Sequence, residues 1–200
     1  MLSSKDIALK ELINQIVVIT EQLVKFWGSA EWWAPIEAAS LLSISRLDWQ
    51  LSLTKQLNCF INPKSRREEG ALILGWTTLG SLVEGLMKLH LSVYFIKYKE
   101  DNNALKNRSG ELIVPDILGF EQLKIFFRTK IFIMHECLGG QCDWIEWIEK
   151  IQRRRNAIHA FKDRDIGNFN EFYNDLYLYY EFIKLIDAML PYPDEKYDYR

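Results

Sequence analysis

The chain has 200 residues, 48% of them hydrophobic and 14% aromatic, with seven tryptophans. That is enough for one domain with a large-residue core, or for a core plus a helical extension. The formal charge of −2 excludes a generally basic coat for nucleic acid, so any phosphate binding has to come from a local patch.

Cys59, Cys137 and Cys142 are odd in number and sparse, which excludes a disulfide framework. Cys137 and Cys142 flank Leu138-Gly139-Gly140-Gln141 with His135 nearby. That spacing is looser than the paired ligands of structural zinc sites, so it reads as two reduced thiols beside a helix-breaking turn. No metal and no cofactor is expected. The N-terminus, Met1-Leu2-Ser3-Ser4-Lys5-Asp6, does not have the pattern of a signal peptide. The longest uncharged stretch, Gly70 to Val83, is too short to span a bilayer and ends at Glu84. A cytoplasmic protein without membrane partners is expected.

The apolar residues from Lys5 to Trp27 recur at helical spacing, and Gly28-Ser29 ends that segment. Trp32 to Phe60 predicts a second helix, with Pro35 in its first turn and Asn62-Pro63 beyond its end. Arg67 to Lys99 predicts a third, long helix. Gly70, Gly75, Gly80 and Gly85 recur in it every five residues. A helical glycine costs about 1 kcal/mol against alanine, so four of them point to close helix–helix approach, with a break within the segment as the alternative. Asp101 to Pro115 is polar and reads as a surface loop, with a short extended piece at Leu112-Ile113-Val114. Phe120 to Glu136 resumes helix until Gly139-Gly140. Asp143 is an N-cap for the next helix, expected to run from Trp144 to about Phe161 with Ile148, Ile151 and Ile158 buried and Arg153 to Arg155 at least partly exposed. Asn168 caps the last helix, which Pro191 and Pro193 stop after Leu190. The result is an all-α bundle of about six helices, with residues 1–62 as an N-terminal helical extension packed on a bundle formed by 63–200.

Lys150, Arg153, Arg154, Arg155, Lys162 and Arg164 make the one strongly basic window, and it contains His159. Imidazole is the side chain best suited to proton transfer near neutral pH, and guanidinium matches phosphate oxygens. On a helix Arg155 and His159 are i, i+4 neighbours, and Asn156 and His159 are i, i+3 neighbours. An Arg, an Asn and a His on one face are sufficient to cleave RNA without metal, because one group activates the 2′-OH, one protonates the leaving oxygen, and cations stabilise the phosphorane. The plainer alternative is a solvated arginine face and a histidine that interacts with the last helical carbonyls.

The run Arg154-Arg155-Asn156-Ala157-Ile158-His159-Ala160-Phe161 resembles the signature of HEPN domains, an Arg followed by four to six residues and a His. Arg154 meets the four-residue gap and Arg153 the five-residue gap. The family commonly has Asn after its Arg, and here Asn156 follows Arg155, whose gap is three. Whether Arg154 or Arg155 is the family's arginine stays open. The resemblance covers the last sixty to eighty residues and extends to the long helix at 67–99. It implies a HEPN-like helical bundle that dimerises so that two motifs share a cleft. It further implies metal-independent endoribonuclease activity in a toxin or phage-defence role, or a non-catalytic interaction module that binds a protein or nucleotide. On that reading Arg154, Asn156 and His159 are the catalytic residues, and Arg153, Arg155 and Lys162 bind RNA. A homodimer is expected, together with an inhibitor or activator protein. One toxin subgroup has a tyrosine two residues after the His. This chain has Phe161 there, so regulation through that hydroxyl is not expected. A second match, Arg128 with His135, lies in an apolar run and reads as coincidence.

Among other features, Glu84 stands with Leu82, Val83 and Leu86 and needs a partner, for which an arginine of the motif would serve and be oriented. His90 shares that helix. Trp32-Trp33 reads as a packing anchor before a base-stacking platform, and Tyr173, Tyr177, Tyr179, Tyr180 and Phe182 read as core and dimer surface. There is no Gly-rich phosphate loop and no nucleophile elbow.

Overall fold

The computed structural model describes residues 4–30, 34–62, 68–132 and 143–192. Among these, eight α-helices and no strand form a packed bundle: α1 (Ser4–Trp27), α2 (Ile36–Ile44), α3 (Leu47–Phe60), α4 (Glu69–Val93), α5 (Phe95–Glu100), α6 (Phe120–Phe126), α7 (Trp144–Arg155) and α8 (Phe169–Met189). The excess over six comes from two breaks. Trp32 to Phe60 divides at Ser45, whose extended backbone (ψ 139°) ends α2. Arg67 to Lys99 divides at Tyr94, where ψ of 27° turns the chain out of α4. Pro35 sits at the N-cap of α2, one residue before its first turn.

The predicted caps are present. The Asp143 carboxylate accepts from Glu146 N–H at 3.0 Å. The Asn168 side chain accepts from Asn170 and Glu171 N–H at 2.9 and 3.2 Å, and returns a bond to the Glu171 carboxylate at 2.7 Å. The two accepted bonds satisfy amides that the first helical turn leaves unpaired, and the side-chain bond holds Glu171 beside its cap. α8 stops at Met189 because Leu190, ahead of Pro191, is held extended. In the loop after α5, Ile113 N–H bonds Leu105 C=O at 2.8 Å and Lys106 bridges Leu112, so the extended piece forms one isolated β-bridge.

α4 is the axis of the bundle. Thirteen of its 25 residues are buried, so it cannot lie on one side of the core, and it packs against α2, α3, α5, α6, α7 and α8. It also has the length and apolar character of a membrane-crossing helix, with half of its most apolar stretch buried inside the protein. α1 packs on α3 and α8, and its Leu9, Ile13, Ile16 and Trp27 belong to the same core cluster as Trp76, Ile151 and Phe182.

The glycines of α4 explain how so many elements fit around it. A five-residue step advances a helix by about 140°, so successive glycines face different directions. A Cβ on Gly75 would stand 3.1 Å from the Phe172 ring of α8, and one on Gly80 would stand 2.7–3.0 Å from the stem of Arg155 on α7. On Gly85 it would collide with the Gln50 side chain of α3, which donates to Leu82 C=O at 2.8 Å. Gly70 faces open space. Gly70→Ala should therefore stabilise the protein by about 0.5–1 kcal/mol in urea unfolding, since only helix propensity changes. Gly75→Ala should show no such gain, because overpacking against Phe172 offsets it. Equal gains at both positions would contradict the close approach.

Candidate functional site

α7 ends at Arg155, six residues short of Phe161. A 3₁₀ turn follows over Asn156–His159, and Ala160 takes a left-handed conformation with φ of 50°. This corrects two expectations. Ile158 is 41% exposed, while Ala157 is buried. The 3₁₀ turn advances about 120° per residue and not 100°, so by Ile158 the side chain has rotated about 60° out of register with the Ile148/Ile151 stripe. Arg154 is 5% exposed, against the expected partly solvated face.

The three arginines diverge because each helical step turns the side chain by about 100°. Arg153 points to solvent, with only a 4.0 Å approach to Glu149. Arg154 points into the protein. Its Nη2 donates to the Glu171 carboxylate in a short contact and lies 3.9 Å from Asp165, and its guanidinium stacks 4.7 Å from the Trp76 ring. Trp76 Nε1–H donates in turn to Ile166 C=O at 2.8 Å. Gly167 crosses over this group with φ of +58°, and a Cβ there would be 2.5 Å from Arg154 Nη2. Arg154 thus fastens the 160–168 loop and the start of α8 to α4. Beneath it, Lys150 Nζ is 2.5 Å from Asp175 Oδ1. Burial pushes the Asp175 carboxyl above its ordinary range, with Lys150 and then Arg154 pulling it back.

Arg155 points along the other side of α7. Its Nη1 donates to Glu84 Oε2 at 2.6 Å, and its guanidinium lies 5.4 Å from the Phe120 ring. Glu84 also pairs with Lys88 at 3.0 Å, and Lys88 donates to Asp116 C=O at 3.0 Å. The anticipated partner of Glu84 is therefore an arginine of the motif, Arg155. Gly80 lets the Arg155 stem lie on the α4 backbone so that the guanidinium reaches Glu84.

His159 is exposed at the end of the 3₁₀ turn. Arg155 and His159 are not i, i+4 neighbours on one continuous α-helix, because they straddle the change of helix type. In a 3₁₀ turn residues three apart eclipse, so partly buried Asn156 and His159 share one edge. A bond of 2.6 Å from Phe161 N–H to His159 C=O closes the chain over Ala160 and presents Phe161 with its whole side chain in solvent. Lys162 is exposed beside it.

The structure thus keeps His159, Asn156, Lys162 and Arg153 at or near the surface, links Arg155 to Glu84, and withdraws Arg154. Sequence reasoning missed Trp76, Asp165, Gly167 and Glu171. Only Glu171 had a local signal, three residues after the N-cap Asn168. Trp32, Trp33, His135, Cys137 and Cys142 lie outside the described residues. Among the described residues, no group of three or more His, Cys, Asp or Glu is placed to hold a metal ion. No protein-family model, curated protein or solved structure matches the chain.

The two buried-side contacts of Arg154 set a stability hierarchy. Arg154→Ala should cost about 1–3 kcal/mol, since it removes the stacking on Trp76 as well as the ion pair, while the half-exposed Glu171 regains water. Arg153→Ala should stay within about 0.5 kcal/mol. Urea unfolding of both variants checks this, and equal losses would contradict the placement of Arg154.

Proposed function

We propose that this chain is a HEPN-like, metal-independent endoribonuclease that acts as a homodimer, with His159 as its proton-transfer group. The observation that carries the reading is at the end of α7. An accessible imidazole and Asn156 share one edge of a 3₁₀ turn, immediately after an arginine that Glu84 holds in place. A left-handed non-glycine residue beside such a group is the kind of backbone outlier that clusters at functional sites.

In this reading Arg155 meets the phosphate, because its side chain keeps 29% exposure while that of Arg154 has 6%. Arg154 positions the loop. Arg153 and Lys162 supply the exposed cations that draw RNA to the turn. The substrate's 2′-OH attacks phosphorus, and its proton passes to one imidazole. The P–O5′ bond breaks, and the leaving oxygen takes a proton from the second copy's imidazole. The products carry a 2′,3′-cyclic phosphate and a 5′-OH. Ile158 and Phe161, both exposed beside His159, give a second copy apolar surface to cover. A toxin or phage-defence role, a cytoplasmic setting and an inhibitor or activator protein accompany the family resemblance.

The second reading is a non-catalytic interaction module. It is favoured by one observation, that Arg154 and Arg155 are both already neutralised by carboxylates. RNA incubated with purified protein in the presence of a chelator decides between them. Wild type should leave 2′,3′-cyclic phosphate ends and spare DNA. His159→Ala should lose about 10²–10⁴-fold in rate, and Arg155→Ala about 10²–10³-fold. If His159→Ala cuts as fast as wild type, or no cleavage occurs, the interaction module takes the place of the nuclease. Phe161→Asp should shift sedimentation from dimer to monomer.

A further inference from the structure

At the C-terminal end of α4, beyond Glu84, a cavity of about 620 Å³ opens between α4, α5, the end of α6 and the end of α8. That volume lies within the range of small-molecule sites. Its walls come from Leu91, Tyr94, Tyr98, Phe126, Ile131 and Met189. Ile131 ends a single π-helical turn, Phe127–Ile131, that continues α6. Such turns are rare and concentrate where a chain builds a site.

His90 also lines the cavity, and the phenols of Tyr94 and Tyr98 are already engaged. Tyr94 OH donates to Met189 C=O at 2.6 Å, and Tyr98 OH donates to Ile113 C=O at 2.8 Å. Neither phenol has its proton left to give, so these walls offer apolar and ring surface to an occupant. The charged groups that line the cavity are different. Lys130 lies 3.1 Å from Asp101, whose carboxyl is held below its ordinary range by Asn103 N–H first, with Lys130 adding to it. Lys97 is exposed, lies 5.0 Å over the Tyr94 ring, and has no carboxylate partner among the described residues. The lining charges therefore leave one cation uncompensated above an apolar interior.

We propose that this cavity binds an anionic amphiphile, a single-chain carboxylate whose hydrocarbon enters between Leu91, Phe126 and Met189 while its head group pairs with Lys97. This site is separate from the His159 turn and does not depend on the nuclease reading. The apolar walls exclude a strongly hydrated ligand, and the uncompensated lysine sets the sign of the head group.

Titration calorimetry of the full chain with dodecanoate below its micellar concentration tests the proposal, with dodecan-1-ol and dodecyltrimethylammonium as comparisons. Dodecanoate should bind saturably at one site per chain and more tightly than the cationic amphiphile. Lys97→Glu should weaken dodecanoate about threefold to tenfold or more, and dodecan-1-ol little. Ala188→Trp, at an exposed position of the rim, should block both without unfolding the protein, as far-ultraviolet circular dichroism would verify. Any one of three results overturns the proposal. These are no saturable dodecanoate binding, dodecyltrimethylammonium binding as tightly as dodecanoate, or undiminished dodecanoate binding by folded Ala188→Trp.

Discussion

The close approach of neighbouring helices to α4 is the constraint on which the rest of this structure depends. A helix packed by six others can be reached by all of them only if some contacts are made at backbone distance, because ordinary side chains hold helix axes 8–10 Å apart. Gly75, Gly80 and Gly85 supply three such contacts, against Phe172, Arg155 and Gln50. The five-residue interval matters more than the glycine content. A repeat of four would place every gap near one face and suit one partner helix, whereas a repeat of five distributes them around the axis. The cost in helix propensity is offset by burial of Trp76, Leu79, Leu82, Val83 and Leu86 on every side.

The arrangement at the end of α7 follows from that approach. With the Arg155 stem lying on Gly80, its guanidinium is delivered to Glu84, one turn further along α4. The preceding residue, Arg154, is then directed at the start of α8, where Glu171 is fixed by the Asn168 cap and Trp76 offers its ring. Three adjacent residues of one chemical type thereby acquire three different situations: solvent for Arg153, a closed ion pair for Arg154, and a half-open one for Arg155. A half-open ion pair can exchange a carboxylate for a phosphate without opening the core. A guanidinium buried under a loop cannot do so unless the loop moves. The same helices, α4 and α8, run on to the apolar cavity at their C-terminal ends.

Much of this was legible in the sequence, and what was legible is local. Helical spacing gave the all-α class because amphipathic periodicity records which face is buried, whatever lies opposite. Asp143 and Asn168 were recognisable as caps because a cap acts on amides two or three residues away. The need of Glu84 for a cationic partner could be argued from its apolar neighbours, and the spacing of glycines announced close packing. The motif run itself, Arg153 to His159, stands out by residue type alone. The break at Ser45 and the position of the break at Tyr94 were not legible, since neither residue is a proline or glycine. The change to a 3₁₀ turn at Asn156 was equally silent. It alters the angular step by only about 20° per residue, yet that decides whether Ile158 is buried and whether Arg155 and His159 share a face. Which arginine is withdrawn depends on Trp76, Asp165, Gly167 and Glu171, and most of these are distant in the chain and acquire meaning only when the helices are assembled. The sequence by itself determined the helical class, the caps at Asp143 and Asn168 and the residue types of the cluster, because those are local to a turn or less of chain. Only the tertiary structure decided the direction of each guanidinium, because that is set by the elements packed on the other side of it.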